Sequence, residues 1–191
     1  MINIVKDKDL IWDVEKYDVI LIGTSIYCTL GDGFQFKIKN KYPILQIEND
    51  KTPYGDSRKF GKRLTIKNHK PILSLMYVCD KGLHNKSMIN YEALENCLRT
   101  ANAEFKGLNV ASTIVGSSRF DGNGDRDKCL ELIEKCTPNL NITLYDYEQL
   151  ANYDEKKIYR KYLDDLKKID YQKWKILKKE YIQYLKDNYL I

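Results

Sequence analysis

Two glycine-bearing loops hold the residues of this sequence that are best suited to binding a phosphate. The first, residues 23–34, reads GTSIYCTLGDGF and follows the apolar run DVILI; the second, residues 115–125, reads VGSSRFDGNGD. Backbone N–H groups in such loops, and at the N-terminus of a following helix, suit pyrophosphate. A glycine lets the backbone approach an anion closely, but an ordinary turn needs the same residue. Alone, each loop indicates either a ligand contact or a simple turn.

The elements around these loops would place both of them at one edge of a sheet. We predict strands at residues 3–5, 18–25, 71–79, 109–116 and 141–147. We predict helices at residues 33–42, 90–106 and 126–136. Strands that alternate with helices indicate a three-layer α/β/α domain. In open sheets of this kind ligands bind beyond the carboxyl ends of the strands, which is where both loops fall.

The C-terminal part of the chain has a different composition. The net charge is +5, and residues 151–191 contain eleven basic and seven acidic residues, which is +4 of that total. Residues 154–169 and 171–189 are predicted to be amphipathic helices appended to a domain of residues 1–150. Their charge is typical of a solvated helix surface, and their apolar stripes of packing on the domain. The alternatives are self-association, or contact with nucleic acid or an acidic partner.

Composition also bounds the class of protein. The N-terminus MINIVKDKDL has no secretory h-region, and the apolar runs are too short to span a bilayer. The five cysteines are scattered and form no CxxC pair, and the two histidines stand at no metal-ligand spacing. We therefore expect reduced thiols, a cytoplasmic location, and neither a metal nor a cofactor.

Several motifs, taken in order, resemble those of the macrodomain family, the α/β fold that binds ADP-ribose. KDKDLI at residues 6–11 is similar to the family's Gly-Asp-Leu/Ile element, with Lys8 in place of the glycine. Residues 23–43 look like the first ligand loop and its lysine-rich helix, with Leu30 in place of a methionine. The resemblance covers roughly residues 3–147 and is closest to the branch of the terminal ADP-ribose protein glycohydrolase.

Further stretches carry the same resemblance. DKTPYGDSRKFG at residues 50–61 resembles a Lys-Thr-x-x-Gly-Asp-x-x-Lys-Leu-Gly stretch of bacterial members. Residues 77–98 resemble a strand, a lysine-bearing loop and a Tyr-Glu-x-Leu helix. Residues 114–125 stand where the family has Ile-Gly-Cys-Gly and a second loop, and residues 142–147 match the last strand. The fold implied is an α/β/α sandwich with a mixed central sheet.

The resemblance implies a set of ligand-binding residues. Asp9 would accept a hydrogen bond from the adenine amino group, its alternative being a surface or helix-capping acid. Arg119 would add charge beside the pyrophosphate or face solvent, and Tyr145 would stack near adenine or pack in the core. Around the distal ribose and pyrophosphate the implied contacts are Ser25, Gly31, Asp32, Gly33 and Phe34, with Leu10 beside Asp9. The second phosphate loop would comprise Gly116, Ser117, Ser118, Arg119, Phe120 and Gly122.

The resemblance to the glycohydrolase branch also implies two catalytic residues. Lys81 falls at the lysine that attacks C1″ of the distal ribose, and Asp121 falls near the aspartate that helps to release the product. A lysine is nucleophilic only without its proton, so an acid beside it must act as a proton acceptor when substrate arrives. The alternatives are an ordinary loop lysine and a turn residue. The second loop reads Gly116-Ser117-Ser118 instead of Gly-Cys-Gly, and Ile22 stands where relatives often have histidine.

The expected function is therefore binding of ADP-ribose or a related nucleotide, with hydrolysis of terminal ADP-ribose esters on protein or nucleic acid. The alternative is a non-catalytic reader of ADP-ribosylated targets, or a protein that sequesters a nucleotide signal. A third interpretation places the function in residues 151–191, as an interaction surface.

Overall fold

The computed structural model describes residues 2–6, 8–31, 33–81, 87–117, 122, 124–146, 175 and 179. The chain divides into two units, Met1–Tyr147 and Glu148–Ile191. In the second unit Lys175 and Lys179 are helical and exposed, and the helices predicted at 154–169 and 171–189 otherwise lie outside the described residues. Within the described part of the chain, none of the helices is both long and apolar enough to cross a membrane.

The described residues of the first unit form seven strands and four α-helices. The strands are β1 (Ile2–Lys6), β2 (Val19–Ser25), β3 (Arg63–Ile66), β4 (Ile72–Lys81), β5 (Ser87–Ile89), β6 (Asn109–Thr113) and β7 (Asn141–Asp146). The helices are α1 (Gly33–Lys41), α2 (Ile44–Asp50), α3 (Tyr91–Glu104) and α4 (Arg126–Cys136), with short 3₁₀ turns at Leu10–Trp12, Val14–Lys16 and Ser57–Lys59. Every strand and helix predicted for this unit is confirmed, whereas α2, β3 and β5 are additional.

The strands form one mixed sheet in the order β1-β7-β6-β2-β4-β3, with β5 paired to β4. Each neighbouring pair from β1 to β4 is parallel, while β3 and β5 run antiparallel to β4. The carboxyl ends of β1, β7, β6, β2 and β4 consequently meet at one edge of the sheet. The connections that leave this edge are the ones the sequence identifies as ligand loops.

The sheet is covered on both faces, which gives the three-layer sandwich. Strand β2 is buried along its whole length, and alternate side chains of a strand point to opposite faces. Val19 and Leu21 belong to a core with residues of α3 and α4, whereas Ile20 and Ile22 belong to a core with Ile38 of α1 and residues of α2. Each such side chain contributes on the order of 1.5–3 kcal/mol on burial, so both faces hold the sheet edge in place.

Side-chain caps fix where the helices next to the second loop begin. Asn90 accepts a hydrogen bond from the backbone N–H of Ala93 at 2.9 Å and caps α3. Asp125 accepts one from the N–H of Lys128 at 3.0 Å and caps α4. An N-terminal cap is worth about 1 kcal/mol, and here the cap at Asp125 marks the end of the glycine-rich loop.

Candidate functional site

Asp9 follows β1 at the carboxyl edge and lies in a fixed position. One carboxylate oxygen accepts the N–H of Ile11 at 3.0 Å, which caps the 3₁₀ turn at Leu10–Trp12. The other accepts Nζ of Lys37, on α1, at 2.7 Å. These two contacts fix the carboxylate, a hydrogen-bond acceptor, at the carboxyl edge of the sheet. Leu10, by contrast, is fully buried in the core.

Within the first loop, residues 26–31 are held by side chains at the end of β2. The hydroxyl of Ser25 lies 3.0 Å from that of Thr29, and the hydroxyl of Thr24 donates to the Thr29 carbonyl at 3.3 Å. Among the described residues, no atom lies within 4 Å of a Cβ added at Gly31 or Gly33. The described part of the chain therefore leaves space for a ligand beside both glycines. Phe34 is half-buried against the α1 and α2 side of the core, and Asp32 lies outside the described residues.

A buried lysine holds the same loop from its other side, and the sequence assigned it no role. Lys59 is 6% exposed. Its Nζ donates to the carbonyl of Ile26 at 2.9 Å and the hydroxyl of Thr52 at 2.8 Å, and lies 3.1 Å from Sγ of Cys28. The ammonium also stands 4.1 Å from the centre of the Tyr77 ring. These contacts tie the loop after β2 to the segment after α2.

The second loop folds against β5 and the start of α3. The N–H of Gly124 donates to the Gly116 carbonyl at 2.8 Å, and the N–H of Ile89 donates to the Gly122 carbonyl at 2.9 Å. The Tyr91 hydroxyl accepts the N–H of Asp125 at 2.8 Å. Gly116 has a φ of +82°, and a Cβ there would lie 2.4 Å from Cδ1 of Ile89. Close packing therefore requires a glycine at this position independently of any ligand.

Among the other residues predicted for the second loop, the structure describes Ser117. The hydroxyl of Ser117 donates to the carbonyl of Ile114 at 2.7 Å, so it stabilises the turn after β6. The remaining predicted residues, Ser118, Arg119, Phe120 and Asp121, lie outside the described residues. Their ligand contacts, and the catalytic role of Asp121, stay predictions.

Lys81 is the last residue of β4, where its backbone pairs with Ser87 of β5. Its position along the strand thus lies at the carboxyl edge, while its side chain is outside what the structure describes. The neighbouring Asp80 contacts Tyr27 of the first loop, and its negative charge and hydrogen bond raise the pKa of the Tyr27 hydroxyl. The end of β4 is thereby joined to the first loop.

Tyr145, near the end of β7, lies in the core. Its side chain is 2% exposed, and its hydroxyl donates to Asp13 at 2.8 Å and lies 3.0 Å from the Tyr17 hydroxyl. Burial and these two hydrogen bonds raise the pKa of Tyr145 well above its usual value. The structure thus gives the ring a packing role, and stacking on adenine stays a prediction.

Asp13, the partner of Tyr145, is a buried carboxylate with several donors. Lys8 and Lys16 approach its two oxygens at 2.5 Å and 2.6 Å, and only 6% of the Asp13 side chain is exposed. Burial alone would raise the pKa of Asp13, but the hydrogen bonds from Lys16, Lys8 and Tyr145 outweigh it and lower the pKa well below the usual range. The folded state therefore favours ionised Asp13 more than the unfolded chain does.

We expect Asp13 to make the domain sensitive to acid. A carboxyl whose pKa is lower in the folded state stabilises the fold at pH values above its unfolded pKa, near 4, and loses that contribution as the pH falls towards its folded pKa. Asp13→Asn should lower the unfolding free energy by about 1–3 kcal/mol at neutral pH, and the difference should shrink below about pH 4. Urea titrations of both proteins across this range measure it. A difference that stays constant down to pH 2 would contradict the assignment to Asp13.

The comparisons with known proteins concern the fold. No family profile matches the sequence, and no curated protein matches it. A Bacteroides thetaiotaomicron protein of unknown function matches with a TM-score of 0.58 and 16% identity, over 76% of this chain and 98% of that one. The macrodomain of Thermus aquaticus DarG matches with a TM-score of 0.57 and 13% identity, over 78% of this chain and 98% of that one.

A third structure was solved with a ligand. Thermosipho africanus DarTG in complex with ADP-ribose matches with a TM-score of 0.57 and 15% identity, over 77% of this chain and 42% of that one. At such identities the likeness establishes the fold and nothing finer. It confirms the fold class that the resemblance of the motifs predicts.

Proposed function

We propose that this chain, whose first unit has the macrodomain fold, binds ADP-ribose at the carboxyl edge of its sheet. The observation that carries the proposal is the convergence of Asp9 and the two glycine-bearing loops at that edge, in a fold that is shared with part of Thermosipho africanus DarTG, a protein solved in complex with ADP-ribose. The adenine end would lie beside Asp9, after β1. The distal ribose and the pyrophosphate would lie between the loops that follow β2 and β6.

The electrostatics of the described residues agree with this orientation. Asp9 presents a carboxylate where an exocyclic amino group would donate, and its contact with Lys37 orients that carboxylate. At the other end the backbone is open beside Gly31 and Gly33, so N–H groups can approach an anion. One end of the site therefore suits a donor group and the other a diphosphate.

Calorimetric titration with ADP-ribose and with AMP tests the proposal. We expect a dissociation constant for ADP-ribose in the roughly micromolar range, about −8 kcal/mol, and much weaker binding of AMP. Asp9→Ala should weaken ADP-ribose binding about tenfold, because it removes a charged acceptor. Asp127→Ala is the matched control, since that carboxylate is 94% exposed on α4. Absence of binding to the wild-type chain would reject the proposal.

We further propose that the site hydrolyses a terminal ADP-ribose ester. Lys81 ends β4, and Asp121 directly precedes Gly122, whose carbonyl accepts the N–H of Ile89 in the strand paired with β4. The segments that carry the two residues are therefore linked by hydrogen bonds.

In the proposed reaction Lys81 Nζ attacks C1″, the C1″–O bond breaks and the acceptor leaves as a carboxylate. Asp121 takes the proton lost by the amine, and water later cleaves the C1″–N bond.

The alternative is a non-catalytic reader or a protein that sequesters an ADP-ribose-like signal. It shares the binding site and differs only in turnover. The serines at positions 117 and 118, where the family has cysteine and glycine, favour it because they change the second loop near the reacting ribose. An interaction surface on residues 151–191, for a second copy or an acidic partner, stays a prediction from the sequence.

A further inference from the structure

We propose that Lys59 is a positioning residue that sets the preference of the site for ADP-ribose over AMP. The inference rests on the proposed function and concerns the first loop. Lys59 would act through residues 26–28, which lead to the open backbone at Gly31, and would not touch the ligand itself. It lies outside the set of ligand contacts that the motifs imply.

The Lys59 ammonium has a hydrogen-bond partner for each of its donors. An ammonium has three N–H donors, and Lys59 directs them to the Ile26 carbonyl, the Thr52 hydroxyl and Cys28 Sγ. Its remaining contact is the face of the Tyr77 ring. A buried charge whose donors are all engaged holds its partners in one geometry, because any displacement leaves a donor or an acceptor unpaired.

The backbone that this ammonium holds has an unfavourable conformation at Cys28. Cys28 has a φ of +58°, a left-handed conformation that is unfavourable for a residue with a Cβ. Its thiol lies 3.3 Å from the Thr52 hydroxyl as well as 3.1 Å from Lys59, and its carbonyl accepts the Gln46 side chain at 2.9 Å. Side-chain contacts from α2, from the segment after it and from Lys59 thus fix this turn. Without the ammonium, the turn at Cys28 can relax and carry residues 29–31 with it.

The loss of Lys59 should affect only the part of the ligand that the first loop contacts. The adenine end is assigned to Asp9, which is held by Ile11 and Lys37. The first loop, by contrast, is assigned to the pyrophosphate and the distal ribose. AMP ends at its single phosphate and has no distal ribose. A loosened first loop should therefore weaken ADP-ribose binding and leave AMP binding almost unchanged.

The test compares Lys59→Met with Lys62→Met by titration with both nucleotides. Methionine keeps the length of the side chain and removes the donors. Lys62 is exposed, stands three residues away and lines the same surface cleft, so its variant is a matched control. We expect Lys59→Met to weaken ADP-ribose binding roughly tenfold to a hundredfold, with AMP binding within about threefold of wild type. Lys62→Met should keep both affinities.

Several outcomes would overturn the inference. One is ADP-ribose affinity unchanged in Lys59→Met; another is an equal loss for both nucleotides, which a merely structural role would produce. If Lys59→Met does not fold, Thr52→Val decides, because it removes one partner of the ammonium and keeps the side-chain shape. It should give the same selective loss, and equal losses or none would reject the role.

Hydrogen exchange separates this inference from the proposed function. In the ligand-free protein the amides of residues 26–31 should exchange faster in Lys59→Met than in Lys62→Met. A wild-type chain that binds no ADP-ribose would reject the proposed function, and the role of Lys59 in selectivity with it. Normal binding by the wild type together with unchanged loop exchange and unchanged selectivity in Lys59→Met would reject the role of Lys59 alone.

Discussion

Replacing Lys81 with alanine should abolish the release of ADP-ribose from an ester-linked substrate. If Lys81 is the nucleophile, its loss removes the covalent route, and the rate should fall about a thousandfold or more. Binding of free ADP-ribose should change little, because Lys81 would act on C1″ and contribute little to holding the pyrophosphate. Single-turnover release of ADP-ribose from an ester-linked peptide measures the effect on the rate. Calorimetric titration measures the effect on binding separately.

Two further variants make this result specific. Asp121→Asn should slow release about a hundredfold to ten-thousandfold, because it removes the proton acceptor. Lys106→Ala is the matched control, since Lys106 is an exposed lysine beyond α3. Undiminished turnover in Lys81→Ala would remove Lys81 from the mechanism. A wild-type protein that binds ADP-ribose and releases none from esters would identify it as a reader or a sequestering protein.

Replacing Gly116 with alanine should be among the most destabilising single changes in the domain. Its φ of +82° costs a residue with a Cβ about 1–2 kcal/mol. The added carbon would also lie 2.4 Å from Cδ1 and 2.9 Å from Cγ1 of Ile89, and such overpacking costs about 1–3 kcal/mol more. Urea denaturation measures the total loss of unfolding free energy from both contributions. Because Gly116 begins the second loop, ADP-ribose binding should weaken in the same variant.

Gly107 provides the control for the conformational part of this cost. Its φ is +79°, and a Cβ there would meet nothing within 4 Å. Gly107→Ala should therefore lose only the conformational contribution, and the excess for Gly116→Ala should be the steric one. Adding Ile89→Ala removes the clashing atoms and should cancel that excess in a double-mutant cycle. If Gly116→Ala and Gly107→Ala lose the same unfolding free energy while Ile89 is present, the Ile89 side chain moves aside at no cost.

The sequence predicts the buried, regular parts of the fold well and the short edge elements poorly. Strand β2 begins with four consecutive apolar residues, Val19 to Ile22, because both of its faces are covered, and α3 shows a clear apolar stripe, so each has a strong local signal. Strands β3 and β5 have four and three residues and pair at the margin of the sheet. Segments of this length are too short to show the alternation of apolar and polar residues that marks a strand. Helix α2 follows Pro43 directly and has no side-chain cap, so nothing in its sequence marks its start.

For the candidate site, the sequence identifies loops but not the side chains that hold them. The glycines mark both loops because their effect on the backbone is local. The contact between Lys59 and Cys28 joins residues 31 positions apart, and that between Lys37 and Asp9 joins residues 28 positions apart. The motifs contain these residues but do not show that they are paired, because a lysine that reaches a partner through the fold looks like any surface lysine in the sequence. Only the tertiary structure separates Lys59, which is buried, from the exposed Lys62.

The pairing of β1 with β7 constrains the order in which the sheet can form. Ile2 lies opposite Ile142, and among the described strands β1 pairs with β7 alone. Strands β2 and β4, and β4 and β3, are much closer together in the chain and can meet at a lower entropic cost of loop closure. During synthesis β1 therefore stays without its strand partner until β7 has been made. Although β1 precedes β2 in the chain, it cannot take its place in the sheet before β7 is present.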